Sequence, residues 1–246
     1  TSGTTSLAAT TLDVDSADFG GAVVLEINVS ITGSSAMDEI TLLRFQSTLS
    51  SLAPDKFNLS VMNAIDVQFD GTITNLQDLM VTATGTTTFS GDVSLSGTLD
   101  VDSDTGITID TGNITAGTIT FEDGVTTATT STIEANVGAL IFNSTITSFN
   151  ASTDDLTLIG DTVELHGSVD LLKSLNVTGT NGITLEAATI TTLDQILLNN
   201  AVTLLAATDL SATDIEFAST LAGAFGVMAD GETITFANTI TDVTAL

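Results

Sequence analysis

The sequence predicts an all-β fold, a right-handed parallel β-helix (β-solenoid) with a less regular N-terminal region. Two observations carry this prediction. The 246 residues include 47 Thr and 22 Ser, and Thr, like Val and Ile, favours strands because branching at Cβ restricts χ1. Short apolar–polar–apolar segments also recur every 6 to 8 residues, a spacing too close for the hairpins of a sandwich.

The densest run of such segments lies between Leu156 and Leu204. A chain that turns a corner after every short strand places three strands in one coil of roughly 20 residues. With coils about 4.8 Å apart, some 12 coils would form a rod of roughly 55–60 Å. The strand-like segments of this run start at Leu156, Val163, Val169, Leu175, Ile183, Ile190, Ile196 and Val202.

Alternation within each strand predicts which side chains point into the solenoid. Thr118–Phe121 reads polar, apolar, polar, apolar, and residues 233–236 repeat this pattern. We assign residues 86–246 to the parallel β-helix and residues 1–85 to an irregular N-terminal region that is strand-rich or caps the solenoid. The residues predicted to form inward columns are Val93, Leu95, Val101, Ile107, Ile119, Phe121, Ile183, Leu185, Ile215 and Phe217.

The N-terminal region leaves one segment open between helix and strand. Ser35–Asp38 fits a helix N-cap box, and the apolar residues that follow would give residues 36–52 a broad apolar face that ends before Pro54. The alternative is a pair of strands, at residues 40–45 and 57–65.

An internal repeat supports a periodic architecture. Residues 91–120 align without gaps to residues 167–196 at an offset of 76, with 10 identities in 30. This offset is close to four coils of 19 residues, so the repeat predicts that aligned residues lie in one column.

Two stretches carry a resemblance to a known class of proteins. Residues 189–224, TITTLDQILLNNAVTLLAATDLSATDIEFASTLAGA, and residues 90–109, SGDVSLSGTLDVDSDTGITI, resemble repeats of large secreted bacterial β-solenoids. These are the filamentous-haemagglutinin-like proteins and the autotransporter passengers. The resemblance extends over about residues 86–246 and transfers no functional residue. It implies an extracellular or cell-surface adhesin, fibre or surface layer.

The charge balance excludes two classes of partner. The chain has 3 Lys plus Arg against 31 Asp plus Glu, for a net charge of -28. Binding to nucleic acid or to an anionic membrane surface requires clustered cations, which three residues cannot provide. The sequence holds no apolar run of 18 residues, so we expect no membrane insertion.

Two groups of alternating acids are candidate calcium sites. Asp100, Asp102 and Asp104 precede Gly106, as carboxylates precede a glycine in calcium loops. Alternate residues on a strand point the same way, so the three acids could share one Ca²⁺ at a coil corner. Asp13, Asp15 and Asp18 form a related group. The alternative for both groups is a solvated edge without a metal.

The sequence does not favour an enzyme. His166 is the only His, and neither Asp161 nor Glu164 beside it forms a catalytic signature. The single His is expected on the outer side of a strand.

The sequence leads to three functional hypotheses. The first is an extracellular structural protein, a subunit or segment of a filament, sheath or surface layer that assembles head to tail. Residues 1–11 carry no charge and residues 232–246 carry two acids, and both segments can form strands. The second is an adhesin or fibre stalk that binds cell-surface glycans, and the third is a carbohydrate-active enzyme. The absence of Trp and Tyr counts against both, because sugar sites favour stacking by these rings.

Overall fold

The computed structural model describes residues 3–33 and 39–244 and confirms the predicted β-solenoid. Within these residues every regular element is a strand and no helix occurs. All strand pairs are parallel, and each strand pairs mostly with the strand that follows three positions later, such as Val93 with Ile114. The chain therefore winds through about 12 coils of three strands, with apolar side chains enclosed between three faces.

The three faces, which we name A, B and C, follow one another in each coil. Four long strands bend around corners and belong to more than one face. Face A consists of β1 (Thr5–Leu7), β4 (Val23–Leu25), β7 (Leu49–Ser51), β9 (Ile73–Leu76), β12 (Val93–Leu95), β15 (Asn113–Ala116), β18 (Ser131–Ala135), part of β21 (Asp155–Leu165), part of β22 (Val169–Leu185), part of β23 (Thr189–Leu198), β26 (Asp214–Phe217) and β29 (Thr233–Phe236). Face B adds β2 (Thr11–Asp13), β5 (Val29–Thr32), part of β8 (Leu59–Phe69), β10 (Leu79–Ala83), β13 (Thr98–Ser103), β16 (Thr118–Phe121), β19 (Ala139–Phe142), β24 (Val202–Leu204), β27 (Leu221–Ala222) and β30 (Ile240–Thr241), with further parts of β21 and β22. Face C adds β3 (Ala17–Phe19), β6 (Ile40–Phe45), β11 (Thr86–Phe89), β14 (Gly106–Ile109), β17 (Val125–Thr127), β20 (Ile146–Ser148), β25 (Thr208–Ser211) and β28 (Val227–Asp230), with the remaining parts of β8, β22 and β23.

The predicted inward columns are confirmed. Each of the ten residues named above is at most 5% exposed. In face C, Phe19, Phe45, Phe69 and Phe89 stack in successive coils with ring centroids 5.1 to 5.3 Å apart. Inward residues thus meet their equivalents one coil away, and this stacking forms one continuous apolar core.

The corners between faces require close backbone approach. A Cβ atom added to Gly91 would lie 2.3 Å from the carbonyl carbon of Gly71, which occupies the same corner one coil earlier. Real Cβ contacts are never this short, so a side chain at Gly91 would force the coils apart.

The strands of the N-terminal region pair in the same parallel manner as the rest. β1 pairs with β4 in face A, and β8 pairs with β10 in face B. The coils are longer here, since Val29 pairs with Leu59, 30 residues later, whereas Leu79 pairs with Leu99. Residues 1–85 are therefore a less regular part of the same stack.

The helix predicted for residues 36–52 is wrong where the structure describes it. Residues 40–45 form strand β6 and residues 49–51 form strand β7, as the alternative proposed for the first of these segments. Ile40, Leu43 and Phe45 are buried while Thr41 is exposed. Ser35–Asp38, the expected N-cap box, lies outside the described residues.

The internal repeat does not correspond to whole coils. Val93 lies in face A, whereas its aligned residue Val169 lies in face C and pairs with Ile146. Ile107 lies in face C, and its aligned residue Ile183 lies in face B. The offset of 76 residues thus spans about three and two-thirds coils, and the expectation of four coils was wrong. The repeat arises because all three faces demand the same alternation, so a match can join strands of different faces.

Candidate functional site

An acidic cluster lies on face B, where strand β13 ends. Asp100 and Asp102 alternate with the buried residues Leu99, Val101 and Ser103, so both carboxylates are on the outer side of the strand. Asp104 follows at the corner, where its N–H donates to the Ala83 carbonyl one coil earlier (3.0 Å). Pleating of the strand thus produces the arrangement that the sequence predicts for Asp100 and Asp102.

The structure brings together a different trio from the one predicted. Asp102, Asp104 and Asp123 each place one carboxylate oxygen within 4.8 Å of the others, and Asp100 is not part of this group. Asp123 comes from the next coil, after strand β16. Sequence reasoning took Asp123 for an ordinary turn residue. The signal that could have found it is its distance of about one coil from Asp102 and Asp104.

The acids border an open groove of about 360 Å³ on the outside of face B. Met80 contributes an apolar side chain that is 40% exposed. The groove is lined by Met80, Val81, Thr82, Asp100, Asp102, Glu122 and Asp123.

The cluster raises the pKa of two of its carboxyl groups. For Asp100, burial and then the charge of Glu122 raise the pKa above its ordinary value of 3.8. For Asp102, burial contributes most, followed by a hydrogen bond and charge repulsion with Asp123 and by the charges of Asp104 and Glu122. Each of these causes disfavours the ionised form of the carboxyl group.

Two of the three cationic side chains pair with acids elsewhere. The Arg44 guanidinium lies 2.6 Å from Asp70, and the Lys173 ammonium lies 3.6 Å from Asp155. Within the described part of the chain, no ion pair to a cationic side chain joins the acids of the cluster. Their mutual repulsion is therefore relieved only by protons or by ions from solution.

Many acids at the corners have a structural role. Asp123 accepts a hydrogen bond from the Ser103 N–H (2.9 Å). Asp66 and Asp78 accept from the N–H groups of Thr86 (2.9 Å) and Thr98 (2.7 Å), each 20 residues later. These carboxylates satisfy backbone donors where the strand ladder is interrupted, and so connect successive coils.

The second predicted group, Asp13, Asp15 and Asp18, does not converge in this way. Asp18 accepts two hydrogen bonds from the Gln46 side chain, at 2.8 and 2.9 Å. Across residues 3–33 and 39–244, the trio of Asp102, Asp104 and Asp123 is the single set of three metal-ligating side chains that meets the 4.8 Å limit.

The cluster offers only oxygen ligands, which suit a hard cation such as Ca²⁺. Three carboxylates supply fewer than the 6–8 oxygens that Ca²⁺ ordinarily takes, so solvent would have to complete the shell. The calcium site stays a prediction, with Asp123 in place of Asp100.

His166 follows strand β21 and is half-buried on the outside of the solenoid. Its Nε2 lies 3.3 Å from a Glu164 oxygen, and its Nδ1 lies 3.8 Å from a Glu186 oxygen in the next coil. This arrangement places the imidazole between two carboxylates, where it can connect two coils.

Comparisons with family models, with curated proteins and with solved structures found no match. None of the described residues belongs to a helix long and apolar enough to span a membrane.

Proposed function

We propose that this protein is an extracellular structural subunit or segment of a filament, sheath or surface layer, assembled head to tail. The observation that carries the proposal is the exposure of the apolar layer at both ends of the stack. Ile234 in the last coil is 40% exposed, whereas Ile215, its equivalent one coil earlier, is 1% exposed.

The first coil is open in the same way. Leu7, Leu12 and Phe19 point inward but are only partly buried, because each has a covering residue on one side alone. Their equivalents one coil later, Leu25 and Phe45, are at most 1% exposed. An apolar layer of this kind gains free energy when another layer covers it.

The strand edges favour the same kind of assembly. β1, β2 and β3 pair only with β4, β5 and β6, and β28, β29 and β30 pair only with strands of the preceding coil. Each end of the described stack therefore has a row of unpaired N–H and C=O groups, which are a template for a further parallel strand. Since the two ends differ, contact between them is heterologous and propagates unless rotation closes it.

Few cationic residues also suit a durable extracellular fibre. Three Lys plus Arg in 246 residues leave few cleavage points for trypsin-like proteases. Lateral contact between copies at a charge of -28 is opposed by repulsion, which favours growth along the rod axis.

The test is negative-stain electron microscopy combined with light scattering on the purified chain, over a range of concentrations and salt. We expect filaments one solenoid wide whose length increases with concentration. Isolated rods of one chain at all concentrations would contradict the proposal and favour the fibre stalk that binds glycans.

A further inference from the structure

We propose that the filament junction is a parallel stack in which β1 of one copy pairs with β29 of the next, and β2 with β30. The occupant of each open end is a second copy of this chain in the same orientation. This inference rests on the proposed function and specifies its interface, strand by strand.

Face A provides the first match. Strand β29 points Ile234 and Phe236 inward, where Phe236 stacks on Phe217 with ring centroids 5.0 Å apart. Strand β1 points Thr5 and Leu7 inward and Ser6 outward. When both strands keep their facing in parallel register, Leu7 covers Phe236 and Thr5 covers Ile234.

Face B provides the second match in the same order along the chain. Ile240 of β30 and Leu12 of β2 both point inward and are partly buried. Placing Leu12 on Ile240 continues the stack in the direction that face A requires. One translation along the rod axis therefore covers apolar residues on two faces together.

Charge favours the ends over the sides of the rod. Strands β1, β29 and β30 carry no charged residue. Along face A, by contrast, Glu134 and Glu216 point outward from interior strands. A junction between β1 and β29 thus places no two acids opposite each other on face A.

A cysteine pair tests this register. Ser6 and Thr235 would lie beside each other across the junction, about 4.8 Å apart, which is within the Cα range of a disulfide. In one chain these residues belong to opposite ends of the rod, roughly 50 Å apart, so no intramolecular bond can form. The chain has no natural Cys. We expect the Ser6→Cys/Thr235→Cys variant to give a ladder of oligomers on a non-reducing gel after mild oxidation.

Two control variants distinguish other contacts. Ser6→Cys/Val24→Cys joins residues that are already paired within one chain, so it should oxidise without oligomers; oligomers would instead indicate strand exchange. Thr235→Cys alone should remain monomeric on the gel, and a dimer would indicate an antiparallel contact between like ends. Filaments that yield no ladder would overturn this junction and leave the proposed function intact. A chain that stays monomeric without any cross-link would contradict both.

Discussion

At the scale of single residues, the carboxylates on face B combine structural hydrogen bonds with mutual repulsion. Asp102 lies between Asp104 on its own coil and Asp123 on the next. Its pKa is raised, so the folded protein holds the protonated form of Asp102 more readily than the unfolded chain does. The stabilisation is complete below the ordinary pKa of 3.8 and is lost as the pH rises through the raised value.

Asp102→Asn should therefore raise the melting temperature at pH 7, because it removes one ionised member of the cluster. Screening by solvent keeps the effect small, on the order of 1–2 °C. The gain should shrink as the pH falls towards 4, where wild-type Asp102 takes up its proton. Asp209→Asn serves as the control, because Asp209 is exposed and is paired with Thr189 and Met228 rather than with another acid. Equal shifts for both variants would mean that only net charge matters.

Calcium should stabilise the wild type more than sodium does at equal ionic strength, because three carboxylate oxygens within 4.8 Å can bind one divalent ion. Thermal unfolding in millimolar CaCl₂ and in matched NaCl measures the difference. Asp102→Asn should abolish most of it. The same melting temperature in both salts would leave the solvated-edge interpretation.

At the scale of the strand, inward columns determine stability. Phe69 lies between Phe45 and Phe89, with ring centroids 5.3 and 5.2 Å away. Phe69→Ala should reduce the free energy of unfolding by about 3–5 kcal/mol, because neighbouring coils cannot collapse into the cavity. Phe149→Ala is the matched control: this ring is 71% exposed, and its loss should change stability by less than about 0.5 kcal/mol. Chemical denaturation measures both, and equal effects would refute the stacked column.

Ile183→Asp should abolish folding, since it places an unpaired charge in a column where Ile183 is 1% exposed. Thr203→Asp, at an exposed site of the next coil on the same face, should leave the circular dichroism spectrum unchanged. A folded Ile183→Asp protein would show that this side chain is not enclosed.

How far the sequence predicts the structure depends on the range of the signal. Alternation is local, so Ile119 and Phe121 could be assigned inward from four residues. Residues 40–45 fit either a helix or a strand, because Ile40, Leu43 and Phe45 satisfy both periods; pairing of β6 with β3 and β8 decides the outcome. The convergence of Asp123 with Asp102 was out of reach, because coil lengths vary with the corners and neighbours across coils cannot be counted from sequence.

At the scale of the whole molecule, net charge opposes association. At a charge of -28, added salt should promote assembly because the screening length falls from about 30 Å at 0.01 M to about 10 Å at 0.1 M. The proposed junction places Asp13 beside Thr241 and near Asp242. Asp13→Asn/Asp242→Asn should therefore assemble at lower salt than the wild type, whereas Asp209→Asn, far from the junction, should not. Light scattering at increasing ionic strength measures the midpoint.

The most direct test of end-on stacking is X-ray diffraction from aligned filaments. Strands that run across the rod and coils that continue through each junction should give a strong reflection near 4.8 Å along the filament axis. Cryo-electron microscopy of the same filaments should show an axial subunit repeat of roughly 55–60 Å, the length of about 12 coils. A 4.8 Å spacing perpendicular to the filament axis, or a subunit repeat much longer or shorter than one rod, would contradict assembly through the ends of the solenoid.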